Sequence, residues 1–251
     1  MPLRSVRALV LRKTKLGETD TIVTMLGSDG YQLRAVAKGM RKPGSRLGGR
    51  LEPYSVVDLL LHIGRSLDVV TEAESVRTHA ALREDFDRST AAGVVVDVLD
   101  KVSVEGQGEQ RLFGLTDATL TALEDVSAEG LELVVVAFLG KIMAMQGYRP
   151  ELDSCACCAE HAAGGRLFSL VDGGVLCPGC GDGTGAALHF SEEGRVLLGK
   201  VLGATMPEVV ELADTVDHVT VRECFDLLRG FVGYHVPARL RALDFYAGMQ
   251  P

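Results

Sequence analysis

TDTIVTMLGSDGYQLRAVAKG, Thr19 to Gly39, is the stretch on which the fold turns. TDTIVTMLG (Thr19 to Gly27) is rich in β-branched residues, Ser28-Asp29-Gly30 has turn chemistry, and YQLRAVAKG (Tyr31 to Gly39) alternates polar and apolar side chains. The pattern predicts a β-hairpin. Upstream, SVRALVLRK (Ser5 to Lys13) alternates in the same way; downstream, beyond a Gly/Pro-rich basic loop, come VVDLLLHIG (Val56 to Gly64) and LDVVTEAESV (Leu67 to Val76). Five short strands within 78 residues, with no helical period among them, predict a small barrel or sandwich. The strand count favours a five-stranded OB-fold barrel.

Beyond Thr78 the period changes from two to between three and four. AALREDFDRSTAAGVVVDVLDKV, QRLFGLTDATLTALEDV and EGLELVVVAFLGKIMAMQG read as helices of a packed bundle, and SEEGRVLLGKVLG and TVRECFDLLRGFVGYHV resume the pattern near the end. In the last of these, Thr220 and Glu223 have capping-box spacing. The expected fold class is therefore α+β. Residues 1–78 would form the barrel and 79–251 an all-α helical domain, with a cysteine-rich segment at 152–183 inserted into it.

A chain of 251 residues can bury one large core or two modest ones, and its 47% hydrophobic and 24% charged content is that of an ordinary soluble protein. The best apolar run, LELVVVAFLG, stops at Lys141, well short of a bilayer span. MPLRSVRALVLRKTK has basic residues through its apolar stretch and no cleavage signal, so the expectation is a cytoplasmic protein with no membrane partner. The net charge of -8 conceals a split. Residues 1–78 carry 13 Lys+Arg against 8 Asp+Glu, a net of +5, which leaves -13 for the rest. A basic first third can carry a phosphate-binding face even in an acidic protein.

Five of the six cysteines fall between Cys155 and Cys180. Cys155-x2-Cys158 and Cys177-x2-Cys180 are separated by 18 residues, the spacing of a structural zinc knuckle in which two tight turns each present two thiolates to one ion. Four thiolates leave no open position, so the zinc would be structural. Cys157 leaves the first ligand open, and His161 is near enough in sequence to replace a cysteine. A thioredoxin-like use of Cys177-Pro-Gly-Cys180 would need a βαβ context. A zinc deaminase would need H-x-E followed by P-C-x-x-C, and Pro178 lies after Cys177 instead. Cys224 falls on an apolar stripe with Val221, Phe225 and Leu228 and reads as a core thiol.

KGMRKPGSRLGGR (Lys38 to Arg50) sets Lys38, Arg41, Lys42, Arg46 and Arg50 on a glycine-rich connection, with Arg34 just before it. Such a loop, read as flexible, suits sequence-independent contact with sugar-phosphate backbones. Only Tyr31 and Tyr54 are aromatic in residues 1–78, so base stacking would be thin. No P-loop, G-x-G-x-x-G after a strand, G-x-S-x-G or H-E-x-x-H occurs. The reading is of a non-enzymatic protein. Its rivals are a zinc- or thiol-dependent oxidoreductase using Cys177 and Cys180, and a zinc-knuckle scaffold that binds only protein.

Taken together, GETDTIVTML, AKGMRKPGSRLGG, LEPYSVVDLLLHIGR, LDVVTEAE, GYRPELDSCACC and GGVLCPGC resemble the bacterial RecO family of recombination mediators, from about Val6 to Cys180. The resemblance implies an OB fold, a helical domain and a zinc knuckle. It also implies binding of single- and double-stranded DNA, annealing of complementary strands, and interaction with RecR and single-stranded DNA-binding protein in loading RecA onto gaps. By position, it assigns DNA contacts to Arg34, Lys38, Arg41, Lys42, Arg46 and Arg50, and metal ligation to Cys155, Cys158, Cys177 and Cys180. Cys157 departs from the family's usual pattern.

Overall fold

The computed structural model describes residues 2–103, 108–181 and 186–249. The last two residues expected in the cysteine-rich segment, 182–183, lie outside them. The chain divides into two compact units, Met1–Glu124 and Asp125–Pro251.

The first unit is built on five strands: β1 (Leu3–Leu16), β2 (Asp20–Gly27), β3 (Gln32–Ala37), β4 (Val56–His62) and β5 (Asp68–Arg77). They close in the order β1-β2-β3-β5-β4, with β4 returning to β1. All neighbours are antiparallel except β3 and β5. This is the expected five-stranded OB-like barrel. β1 belongs to two partners: Leu3 to Leu9 pair with β4, and Ala8 to Leu16 pair with β2, with the register shifting between Val10 and Arg12. A bulge there bends a 14-residue strand enough to serve both sides of the closure.

Ala8, Val10, Val23, Met25, Val57, Leu59 and Leu61 fill the barrel. Each such side chain removed fully from water contributes roughly 1.5–3 kcal/mol. Leu9 and Leu11 lie outside that cluster yet are equally buried, because α2 (Phe86–Val102) packs on β1. The alternation expected for β1 is thus lost in its centre, where both faces are covered. The single helix expected over 80–102 is broken into α1 (Ala81–Glu84) and α2. Asp85 turns extended at φ -111° and caps α2, its carboxylate accepting from the Arg88 N–H at 2.8 Å. The unit is completed by α3 (Gln110–Asp125).

In the second unit α4 (Leu131–Met145) is the central helix. Its apolar residues run all the way round because α6 (Glu192–Gly203), α7 (Met206–Ala213) and α8 (His218–His235) all pack on it. At Gly140 a Cβ would meet Leu202 at 2.9 Å, so the missing side chain lets α4 and α6 approach. Two short helices, α7 and α9 (Arg241–Met249), were not expected from the sequence. The capping box also falls elsewhere. Glu208 accepts from the Thr205 N–H at 2.6 Å at the start of α7, whereas α8 is capped by Asp217. Glu223 instead binds the N–H at 2.8 Å and the hydroxyl of Ser191, the N-cap of α6.

Between α4 and α6 lies a ribbon of β6 (Leu167–Ser169), β7 (Gly174–Leu176), the four-residue α5 (Pro178–Gly181) and β8 (Ala187–His189), with sheet order β7-β6-β8. Phe168 anchors it, meeting Phe190 and Phe231 edge to face at centroid distances of 6.0 and 5.6 Å.

Candidate nucleic-acid interface and metal centre

Chain from Lys38 to Ser55 joins β3 to β4 across one end of the barrel. It was expected to be a flexible loop, and the structure corrects this. Met40 and Leu51 are buried in the barrel core and Leu47 packs against it. The Gly39 N–H donates to the Asp20 carboxylate at 2.8 Å, the Arg41 N–H to the Thr19 carbonyl at 2.9 Å, and Arg50 Nη1 to the Ala73 carbonyl at 2.7 Å. The connection is a strap pinned at intervals, and Arg50 is itself one of the pins. Lys38, Arg41, Lys42, Arg46 and Arg50 are all exposed, as is Arg34 on β3.

These six differ from five other cations of the barrel in having no acidic partner. Arg4 pairs with Asp29, Arg12 with Asp100, Lys13 with Glu52 and Arg77 with Asp117. Arg7 takes Asp58, its cross-strand partner in the β1–β4 register, through two 2.8 Å hydrogen bonds. Among the described residues none of Arg34, Lys38, Arg41, Lys42, Arg46 or Arg50 makes an ion pair. Asp20 is the nearby carboxylate. The Gly39 N–H, then the Thr19 hydroxyl, hold it below the ordinary aspartate range, with Lys38 and Lys42 adding a smaller pull. Its charge is thus spent mainly on fixing the strap backbone.

Beside the strap lies a groove of about 1020 Å³ whose lining includes Arg7, Arg46 and Arg50 together with Asp58, Glu72 and Glu74. Acidic residues in the groove disfavour an anion there, whereas the crest of the strap carries cations alone. Tyr54 is buried, its hydroxyl donating to the Ser89 carbonyl at 3.2 Å, which leaves Tyr31 as the exposed aromatic of the barrel strands.

In the second unit the sulfurs of Cys155, Cys158, Cys177 and Cys180 all lie within 4.8 Å of one another. Four thiolates at ~2.3 Å from one zinc ion stand ~3.8 Å apart. The Cys158–Cys177 separation is 3.8 Å, and the set could hold a metal ion. Two turns build it. The Ala159 N–H returns to the Cys155 carbonyl at 2.8 Å, with Ala159 at φ 61°, and the Cys180 N–H returns to the Cys177 carbonyl at 3.1 Å. Gly165 is needed beside the second turn, because a Cβ there would stand 2.0 Å from the Leu176 carbonyl oxygen.

The electrostatics suit a cation. The N–H of Cys177, donating at 3.3 Å, followed by that of Cys158, stabilises the Cys155 thiolate and brings its pKa down to about 6. Crowding by the other thiols, Cys177 foremost, pushes Cys180 up. A divalent ion relieves that mutual repulsion. Cys155 is buried in the cluster, and Cys157 is exposed and not part of it. His161 is not part of that cluster; its Nδ1 accepts from the Ala163 N–H at 3.1 Å.

Comparison with known proteins places both halves. The N-terminal model of Recombination protein O matches residues 1–79, and the C-terminal model matches residues 83–244. The chain belongs to the RecO family. It is 37% identical over 247 residues to the DNA repair protein RecO of Frankia casuarinae, 98% of each chain. It is 34% identical over 242 residues to that of Desulforudis audaxviator, covering 96% of this chain and 95% of the relative. With that of Rubrobacter xylanophilus it shares 39% identity over 181 residues, 72% of each.

Within this RecO chain the redox reading of Cys177-Pro-Gly-Cys180 lacks its structural context. Cys177 follows β7, a strand of an antiparallel ribbon, and α5 is only four residues long. Cys224 is the core thiol expected: it donates to the Gly194 carbonyl at 3.3 Å, and burial, followed by the nearby Glu223, pushes it up to about 12. No described helix is long and apolar enough to cross a membrane.

Proposed function

We propose that this RecO-family chain is a non-enzymatic, cytoplasmic DNA-binding recombination mediator whose barrel, residues 1–78, holds single- and double-stranded DNA by its sugar-phosphate backbone. One observation carries this reading: the strap's cations, with Arg34, are exposed and lack ion-pair partners, while Arg4, Arg7, Arg12, Lys13 and Arg77 in the same barrel are neutralised by acids. A surface cation without an acidic partner breaks no ion pair when it meets phosphate, so the gain from counterion release is not offset by one. With Tyr31 the one exposed tyrosine among the described residues of the barrel, base readout is weak and binding is sequence-tolerant.

Two strands held along one basic crest have part of their mutual repulsion removed, which is what annealing of complementary strands requires; no acid, base or nucleophile enters. Cooperation with RecR and single-stranded DNA-binding protein, and through them the loading of RecA on single-stranded gaps, follows from the family resemblance. In residues 79–251, Cys155, Cys158, Cys177 and Cys180 would hold a structural zinc ion, closing the ribbon as a staple. Binding to oligonucleotides across a salt series tests the reading. With about five phosphates neutralised, log K falls against log salt with a slope of roughly -3 to -4, alike for unrelated sequences. A slope near zero would leave the zinc-knuckle scaffold as the better account.

A further inference from the structure

Two exposed tyrosines of the second unit are supported from beneath by a column of rings. Phe168 meets Phe231 edge to face, and Phe231 meets His235 at a centroid distance of 4.6 Å. On His235 rest Tyr148, at 4.3 Å with the planes 31° apart, and Tyr234, edge-on at 5.0 Å. Phe168 and Phe231 are fully buried, whereas Tyr148 is 44% and Tyr234 52% exposed, so the column runs from core to surface. Backbone on both sides holds it still. Just beyond α4, Gly147 turns left-handed at φ 89°; its N–H returns to the Ala144 carbonyl at 3.2 Å and the Tyr148 N–H to the Met143 carbonyl at 2.9 Å. His235 closes α8, and its Nε2 donates to the Leu170 carbonyl at 2.8 Å, which fixes the imidazole. Rings already fixed lose little freedom on meeting a ligand.

The charge beside the rings runs against that of the unit. Residues 125–251 carry 9 Lys+Arg against 17 Asp+Glu, a composition that repels a polyanion. Yet Arg149 directly follows Tyr148 and Arg239 lies four residues beyond His235; both are exposed, and among the described residues neither makes an ion pair. Flat ring faces take a flat ligand, and cations without acidic partners take an anionic one. An unpaired nucleobase on its phosphodiester is both. We propose that Tyr148 and Tyr234 form a stacking site for the bases of single-stranded DNA. The inference rests on the reading of the chain as a DNA-binding protein and extends it: the strap takes the phosphates of any strand, whereas these rings take only bases that have no pairing partner. Every base offers a π-face, so the site favours single strands without favouring a sequence.

The test uses the full-length chain and labelled oligonucleotides of one length: a single strand, the same strand with its bases replaced by abasic sites, and a duplex. At moderate salt the parent should bind the base-bearing strand at least ~tenfold more tightly than the abasic one. Tyr148→Leu with Tyr234→Leu should bring that ratio down at least ~fivefold, Tyr148→Phe with Tyr234→Phe should keep it, and duplex binding should be the same in all three proteins. A parent ratio near one, or an equal ratio in the parent and the leucine variant, would overturn the proposal. So would a leucine variant that loses affinity for a poly-glutamate peptide and none for the strand, which would assign the rings to a protein partner. A base preference without salt dependence would remove the strap reading alone, and salt-dependent binding without a base preference would remove this inference alone. Should the leucine variant fail to fold, ultraviolet cross-linking of the parent to the single strand decides: cross-links at Tyr148 or Tyr234 support the site, and cross-links confined to residues 1–78 overturn it.

Discussion

Replacing Arg41, Lys42 and Arg46 together by alanine probes the strap most sharply. All three are exposed, and the anchors Met40, Leu47 and Leu51 are untouched, so the barrel should stay folded. The structural loss is confined to the 3.2 Å hydrogen bond from Arg41 to the Gly17 carbonyl. Each neutralised phosphate adds about -0.7 to the salt slope on single strands, so removing three contacts flattens it by about 2. The same term weakens binding about 100-fold at 0.1 M salt. Fluorescence anisotropy with labelled oligonucleotides of unrelated sequence, from low to moderate salt, reads both quantities. A paired control, Arg7→Ala with Asp58→Ala, removes one cation and its own counter-charge and should leave the slope unchanged. Unaltered affinity and slope in the triple variant would refute the strap assignment. A loss confined to particular sequences would refute the backbone-contact mechanism.

Two further predictions concern stability. Cys177→Ser removes one of four ligands, so zinc content and melting temperature should both fall, because the folding energy of such a knuckle comes largely from its metal; a variant matching the parent in both would dismiss the tetrad. In the first unit Asp117 is held below the ordinary aspartate range, first by its hydrogen bond with buried His79 and then by the Arg77 charge. A depressed folded pKa contributes stability above the unfolded value, near 3.9, and that contribution is lost as pH falls through the lower folded value. Asp117→Asn should therefore lower stability at neutral pH and flatten its decline below about pH 4 in urea titrations. A decline as steep as the parent's would show that Asp117 has no part in it.

The barrel was legible because its strands alternate and their turns have turn chemistry, and the cysteine pairs were legible because spacing alone fixes a four-thiol turn pair. The neutral state of five of the barrel's cations was not, since it depends on register: Arg7 and Asp58 are 51 positions apart and meet only because β1 and β4 pair as they do. Nor was the pinning of the strap, for Met40, Leu47 and Leu51 are isolated apolar residues in a glycine-rich basic stretch, with no period to mark them as core. The break at Asp85 was hidden by an apolar pattern that runs through it, and the eight-residue α7 and nine-residue α9 are too short to show several turns of period. Thr220 and Glu223 had the right spacing for a capping box, but Asp217, three residues earlier, caps the helix and frees Glu223 to hold Ser191. The different burial of Cys155 and Cys157 was not legible either, since it depends on the turn geometry, which buries one and exposes the other.

Strand annealing tests the central claim most directly. Complementary oligonucleotides coated with single-stranded DNA-binding protein, and the same strands uncoated, are mixed with the full-length chain, and duplex formation is followed by energy transfer between end labels. The account predicts faster pairing in both cases, independent of sequence and suppressed as salt rises. Pairing no faster than without the protein, at salt low enough for it to bind DNA, would contradict it.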